Sequence, residues 1–261
     1  MKILVEHIGL SFLHTTQSLK ETLLFAFKVV SRILDKNAYN SAVRMVLTDQ
    51  IYFTSVQILP LFLTVAAIFG SVLVVILMLM VKELGMVQYI GRFMIGFMVN
   101  ELSPFITVLL IALRSSAAIN TEIAVMKVNQ EIKTLEVFHI DTINYLFLPR
   151  IINGVISVVL MNCLFSIVVL ATGLLFSKLI FGMSFNLYAD VLLNSIYFSD
   201  LLILLLKCIT YGVFITLIPI LYGLRATNEL TSIPVSVLNG MVKVFIAIVI
   251  IEVLSLIIKL M

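Results

Sequence analysis

The chain has 261 residues, of which 62% are hydrophobic and only 12% are charged. Soluble globular domains are closer to half apolar and a quarter charged, so this composition excludes a soluble enzyme and indicates an integral membrane protein. The net charge of +3 comes from 17 basic and 14 acidic residues, a bias too weak to indicate a nucleic-acid partner. The cysteines and histidines lack metal-ligand spacing, so we expect no metal site.

The first 49 residues carry an amphipathic pattern. Apolar residues recur at helical spacing between Leu19 and Leu34, while Lys20, Lys28 and Arg32 fall on another face. This pattern predicts a helix lying in the cytoplasmic interface of the membrane; the alternative is a helix packed on other parts of the protein. We therefore divide the chain into an N-terminal helical segment, 1–49, and a transmembrane domain, 50–261.

Five apolar stretches are long enough to cross a membrane, which takes about 20 helical residues. Four of these stretches are clear, at 58–81, 151–177, 201–224 and 237–260. The remaining one, at 98–119, lies in a longer apolar segment that also carries charges. Both a span alone and a span preceded by a lead-in helix fit this segment. The predicted fold class is therefore an all-α integral membrane protein with about five transmembrane helices.

The distribution of basic residues predicts the orientation of the spans, because cytoplasmic loops are enriched in Lys and Arg. Most basic residues outside the spans fall before the first span, after the second or after the fourth. The N-terminus is therefore expected in the cytoplasm. An odd number of spans then places the C-terminus on the far side of the membrane.

A long polar connection separates the second and third predicted spans, at about 127–140. Its apolar residues repeat at helical spacing, and its polar positions are Lys127, Gln130, Glu131, Lys133 and Glu136. This pattern predicts a short cytoplasmic amphipathic helix, after which Asp141 is placed to cap the next helix. Both a docking site for a cytoplasmic partner and a solvated connector fit the pattern.

Several ionisable residues fall within predicted spans, where each costs a few kcal/mol unless it faces protein or water. The candidates for a lipid pathway are Glu101, Arg114, Glu122, Lys207 and Glu252. Interhelical pairs that fix the fold are the alternative for all five. Lys207 and Glu252 are expected either to pair across helices or, for Lys207, to extend to the interface. Small residues at 115–118 favour close helix packing over a lipid-lined groove.

The sequence also lacks the motifs that an ATP-hydrolysing enzyme needs. A phosphate-binding P-loop ends in Gly-Lys, and none of the eleven glycines is followed by lysine. There is also no nucleophile elbow, His/Glu metal motif or paired-carboxylate signature. We therefore expect a chain that is not an enzyme and holds no cofactor, so any ATP that drives it is hydrolysed by another chain.

The stretch 100–150 resembles the signature region of the MlaE/YrbE family of ABC-transporter permeases. The matching elements are Glu101-Leu102-x-Pro104, Arg114 with small residues after it, Glu122-Ile123, Met126-Lys127, Glu136, Asp141 and Pro149-Arg150. Three segments depart from the family pattern. Its usual Arg-Glu-Leu-Gly-Pro is Asn100-Glu101-Leu102-Ser103-Pro104 here, and its usual Thr-Glu-Gln is Asn129-Gln130-Glu131. Its small, Gly-rich stretch before the last span is replaced by TNELTSIPVSVLNG.

The resemblance implies the permease subunit of an ABC transporter in the bacterial inner membrane, which moves phospholipids or related lipids between inner and outer membranes. In this family two permease copies pair with two ATPase subunits, which bind ATP and Mg, and with an MCE-domain lipid-binding protein in the periplasm. The loop at 127–140 would be the coupling helix that contacts the ATPase. The alternatives are an ATP-independent secondary transporter or channel, and a scaffold subunit without a transport pathway.

Overall fold

The computed structural model describes residues 41–227 and 229–260, and within these ranges the chain is helical and contains no strand. Five helical runs in this part of the chain are long and apolar enough to cross a membrane. We number them spans 1 to 5: Thr54–Glu83, Val87–Val128, Ile143–Phe181, Phe198–Leu224 and Ser232–Lys259. The prediction of an all-α membrane protein with five spans is confirmed.

Most of the predicted N-terminal segment lies outside the described residues, including the interfacial helix expected at 19–34. The described chain begins with a helix at Ser41–Ile51, followed by a π-helical turn at Tyr52–Val56. This helix crosses the proposed boundary at residue 49, and the division into two segments stays a prediction.

Spans 1 to 3 contain π-helical segments beside their α-helical parts. After its π-helical turn, span 1 continues as Leu59–Glu83. Span 2 begins with a 3₁₀ turn, Val87–Tyr89. Its α-helical segments are Ile90–Phe93, Ser103–Ile111 and Ala117–Val128, and its π-helical segments are Met94–Leu102 and Ala112–Ser116. Span 3 joins a π-helical turn, Ile143–Phe147, to Leu148–Phe181, and the last two spans are Phe198–Leu224 and Ser232–Leu260. The lead-in to span 2 is therefore continuous with it.

Span 3 begins earlier than its apolar run predicted, at Ile143 instead of residue 151. The Asp141 side chain explains this start, because its Oδ1 accepts hydrogen bonds from the backbone N–H groups of Ile143, at 3.0 Å, and Asn144, at 3.4 Å. These bonds satisfy donors that a helix start leaves free. The predicted N-cap is confirmed, and the early start places Arg150 inside the span.

Two short helices lie in the connections. The loop helix, Glu131–Val137, joins spans 2 and 3. A second helix, Phe185–Leu193, joins spans 3 and 4 and was not predicted. Its first turn is capped by Ser184, whose Oγ accepts a hydrogen bond from the N–H of Leu187 at 3.3 Å.

The spans alternate in direction, so the bundle has two ends. We call the end that carries the loop helix the loop end, and the end that carries the Phe185–Leu193 helix the opposite end. In the most apolar stretch of span 2, 61% of residues are buried, against 17% in span 5. Span 2 therefore lies at the centre of the bundle, and span 5 exposes most of its apolar surface.

Spans 3 and 4 approach each other through two facing glycines. A Cβ atom on Gly212 would overlap the backbone of Val155, and one on Gly154 would meet the Thr216 side chain and the carbonyl oxygen of Gly212. Small residues allow such close approach between membrane helices. This contact fixes span 3, which lines one of the two polar sites described below, relative to span 4, which contributes to the other.

Candidate functional site

A network of charged side chains joins spans 2, 4 and 5 toward the opposite end of the bundle. The Nζ of Lys207 lies 2.6 Å from Glu101 Oε2 and 2.9 Å from Glu252 Oε1. The Nζ of Lys259 lies 2.8 Å from the other oxygen of Glu101, and the hydroxyl of Tyr211 donates a hydrogen bond to Glu252. We call these five residues the charge network.

The charge network is buried and balanced. The side chains of Lys207 and Glu101 are only 2% and 10% exposed, and two lysines face two carboxylates. Lys207 lies about 14 Å along span 4 from Phe198, at roughly 1.5 Å per residue. It therefore pairs across spans, which was one of its two expected arrangements, and does not extend to the interface.

Asn100 borders the charge network within the π-helical segment Met94–Leu102. Its side-chain nitrogen and oxygen are both buried without a hydrogen-bond partner, while its backbone carbonyl accepts a bond from Lys207 at 3.4 Å. The related motif quoted above has arginine at this position. Asparagine adds no charge here, so the network stays electrically neutral.

A second polar site lies at the loop end, between spans 1, 2 and 3. It is a cavity of about 360 Å³, which we call the loop-end cavity. Its wall consists of Gln50, Thr54, Gln57, Ile58, Arg114, Ser115, Ala118, Ile119, Glu122, Arg150 and Asn153. Arg114 and Glu122 thus line one cavity. Ser115 and Ala118 line it too, whereas Ser116 donates to the Ile215 carbonyl at 2.5 Å and packs against span 4.

The charges of the loop-end cavity are only partly compensated. Arg150 Nη2 lies 2.5 Å from Glu122 Oε1, with side-chain exposures of 5% and 59% respectively. The Nη1 of Arg150 is buried without a hydrogen-bond acceptor. Arg114 is exposed and forms no ion pair within the described part of the chain. Two arginines therefore face one carboxylate.

The opposite wall of this cavity is held by hydrogen bonds between spans 1 and 3. The Nδ2 of Asn153 donates to Thr54 Oγ1 at 2.9 Å and to the Gln50 carbonyl at 3.3 Å. Ser157 donates to Asn153 Oδ1 at 3.0 Å, and its Oγ lies 2.7 Å from that of Ser55. These bonds fix the wall side chains, so the cavity is formed before any ligand enters.

The loop helix is attached to the loop ends of the spans through its buried face. Ile132 packs in a cluster with Phe147 of span 3 and Leu217 of span 4. The helix is shorter than the predicted 127–140: Lys127 belongs to the end of span 2, and Gln130 lies between the two helices with a left-handed φ of 61°. The predicted contact residues Glu131, Lys133 and Glu136 are exposed on its outer face. Whether they bind a partner stays a prediction.

The family of this chain follows from a sequence match that covers most of its length. The sequence model of the family described as "Permease MlaE" matches residues 47–258, which include nearly all of the five spans. The chain belongs to the MlaE permease family. The resemblance that its signature region suggested is thereby confirmed.

Curated relatives of this MlaE permease come from bacteria and from plants. It is 28% identical over 169 residues to the Arabidopsis thaliana protein TRIGALACTOSYLDIACYLGLYCEROL 1, chloroplastic, covering 63% of this chain and 48% of that one. It is 28% identical over 149 residues to a probable ABC transporter permease of Synechocystis, covering 57% of each. It is 27% identical over 178 residues to the intermembrane phospholipid transport system permease protein MlaE of Haemophilus influenzae, covering 68% of each. The chain spans about half the length of the first two relatives.

Three ionisable residues of these polar sites were not among the predicted site residues of this MlaE permease: Arg150, Tyr211 and Lys259. Arg150 was placed in a loop because the apolar run of span 3 begins after it, although it follows Pro149 in the signature region. Lys259 lies at the end of the predicted span 237–260, and in the structure its Nζ also donates to the Gly96 carbonyl at 2.9 Å. Tyr211 carries no signal of its own in an apolar run.

Proposed function

We propose that this chain is the permease subunit of an ABC transporter that moves phospholipids or related lipids between the inner and outer membranes. The observation that carries this proposal is the family match across the five spans. The substrate class is supported by the Haemophilus influenzae relative, which is named as the permease of an intermembrane phospholipid transport system.

The energy source would be a separate ATPase, which binds ATP and Mg, because this chain has no Gly-Lys motif for a phosphate-binding loop. The loop helix is the expected contact. Its outer residues Glu131, Lys133 and Glu136 are exposed, and its buried Ile132 belongs to an apolar cluster with residues of spans 2, 3 and 4. ATP-driven closure of the ATPase would therefore push on the loop ends of these spans.

A second copy of the chain would complete the lipid pathway. Span 5 exposes most of its apolar surface, which suits contact with another copy or with lipid. A homodimer would enclose a cavity that opens alternately to the two sides, with an MCE-domain protein receiving or delivering lipid in the periplasm. The loop end would face the cytoplasm of a bacterial inner membrane, with the N-terminus on that side and the C-terminus in the periplasm.

The charge network would lie along this pathway near the periplasmic side. Ion pairs of Lys207 with Glu101 and Glu252 join three spans, so relative movement of these spans must break or exchange those pairs. Arg114 and Glu122 would act at the cytoplasmic end. A lipid headgroup that competes for Lys207 or Glu101 would couple lipid passage to that movement.

Charge reversal on the loop helix tests the ATPase contact. We expect the double variant Glu131→Lys, Glu136→Lys to lose the ATPase during affinity purification of the chain in detergent. The matched control reverses two exposed acidic residues at the opposite end, Glu83→Lys and Asp190→Lys, and should retain it. An ATPase that stays bound and coupled in the loop-helix variant would show that the docking site is elsewhere.

Two other outcomes would replace the proposed function. Lipid movement in reconstituted vesicles without any ATPase or ATP would identify a secondary transporter or channel. A chain that binds its partners but moves no lipid under any condition would be a scaffold subunit.

A further inference from the structure

The loop-end cavity differs from an ordinary packing defect because its wall carries more cationic donors than the described residues satisfy. Arg150 gives one nitrogen to Glu122 and keeps another, Nη1, buried without an acceptor. A buried donor without an acceptor is unfavourable, and native structures rarely leave one. The site therefore favours a bound group that brings an acceptor.

Arg114 adds a second cation to the same wall. Its guanidinium is exposed and has no ion-pair partner in the described part of the chain. It projects from the π-helical segment Ala112–Ser116, and such interruptions of an α-helix occur frequently at functional sites. No ion pair in the part of the chain that the structure describes uses the Arg114 side chain, so its charge is available to a ligand.

The balance of charge selects the class of ligand. Arg114 and Arg150 contribute two positive charges and Glu122 one negative charge, so the cavity carries a net charge of +1. Guanidinium groups bind phosphate oxygens with paired hydrogen bonds. A phosphodiester carries a single negative charge and would neutralise the site. The hydroxyl or amide groups of Thr54, Ser115 and Gln57 supply further polar contacts along the wall.

We propose that the loop-end cavity is a binding site for a phosphate group, held by Arg114 and Arg150. The phosphodiester of a phospholipid headgroup and inorganic phosphate share this chemistry. The headgroup as the source rests on the proposed lipid-transport function, whereas the anion site itself does not. The site is separate from the charge network, whose cations are occupied by carboxylates.

The decisive variant is Arg114→Gln, which removes a charge that supports no ion pair within the described residues. The matched control is Arg92→Gln, which removes an exposed arginine from the other end of the same span. A second variant, Ala118→Phe, fills the cavity from an exposed wall position without changing any charge. All three are compared by elution profile and thermal unfolding to establish that they fold.

Binding is measured by native mass spectrometry of the full chain, purified in detergent without nucleotide. The probes are a short-chain phosphatidylglycerol, the matching diacylglycerol without phosphate, and inorganic phosphate. We expect Arg114→Gln to weaken phosphatidylglycerol binding about tenfold, the effect of one charge-assisted hydrogen-bonded contact. Ala118→Phe should remove one bound lipid per permease, Arg92→Gln should change nothing, and diacylglycerol should be insensitive to Arg114.

The probes separate the two sources of the anion. Arg114-dependent binding of phosphatidylglycerol assigns the site to a lipid headgroup, and Arg114-dependent binding of inorganic phosphate alone assigns it to the free anion. If folded Arg114→Gln and Ala118→Phe bind both probes within twofold of the unmodified chain, the proposal is wrong. Because no nucleotide is present, this result is independent of transport: a chain that fails to move lipid but keeps Arg114-dependent binding would overturn the proposed function and leave the phosphate site standing.

Discussion

The charge network and the loop-end cavity place similar residues in opposite situations. In the network, Lys207 is buried between Glu101 and Glu252, and each of these three charges has a partner within 2.9 Å. In the cavity, Arg150 shares one carboxylate that is itself 59% exposed, and Arg114 has no ion-pair partner among the described residues. One site is closed and neutral, and the other is open and positively charged.

This difference separates charges that hold spans together from charges that are available to a ligand. Removing one member of a buried ion pair leaves an uncompensated charge in a medium of low dielectric. Removing an exposed and unpaired charge leaves no uncompensated partner charge in the protein. Mutation should therefore affect stability strongly at the network and binding more than stability at the cavity.

The largest effect is expected from Lys207→Met. This change leaves two buried carboxylates without their shared cation, and breaking a buried pair costs about 3–5 kcal/mol. We expect a large loss of folded protein and of thermal stability in detergent. Lys178→Met, at an exposed lysine of span 3, is the control. Equal stability of the two variants would show that the network does not hold spans 2, 4 and 5 together.

A smaller effect is expected from Tyr211→Phe. The phenol donates to Glu252 inside the network, and a hydrogen bond to a charged group contributes about 1.5–3 kcal/mol. Thermal unfolding should shift in the same direction as for Lys207→Met but by less. The shift in unfolding temperature caused by Tyr211→Phe should differ between the unmodified chain and the Lys207→Met variant, because both residues contact Glu252. Strict additivity would argue against one connected network.

Glu122→Gln should cost about 1–2 kcal/mol, because its carboxylate is largely exposed to solvent but the buried Arg150 guanidinium loses its ion-pair partner. The measurement is the same unfolding experiment, with Glu101→Gln as the buried counterpart. We expect the Glu101 variant to lose clearly more stability. A larger loss from Glu122→Gln would mean that the loop-end pair is as structural as the network.

The smallest effect on stability is expected from Arg114→Gln, within about 0.5 kcal/mol, as for surface substitutions that break no contact. Its unfolding temperature should match that of Arg92→Gln. A marked destabilisation would reveal a structural partner for Arg114 and would remove the argument that its charge is available to a ligand.

The sequence predicted the spans well, because about 20 uncharged apolar residues have few alternatives to a membrane helix. It also indicated Lys207 and Glu252, since ionisable residues are rare in spans and usually meet each other. It could not predict that Lys259 joins them through Glu101, because this depends on how spans 2 and 5 pack. Pairing between distant spans leaves no periodic trace in the sequence.

The ends of the helices were harder to predict than their centres. Asp141 was recognised as a cap from its residue type and position, and yet the start of span 3 was placed too late because Arg150 interrupts the apolar run. The loop helix was predicted too long because Gln130 turns the chain with a left-handed backbone. Glycine usually marks such a turn, so a glutamine gave no warning.

The glycine contact between spans 3 and 4 has a consequence for how the protein can rearrange. Gly154 and Gly212 bring the two backbones so close that sliding one helix along the other would drive side chains into main-chain atoms. Spans 3 and 4 would therefore move together as one rigid body. Ile132 of the loop helix belongs to the apolar cluster at the loop end of this pair. Span 5 is the least buried of the five spans, so the rigid pair would move relative to span 5.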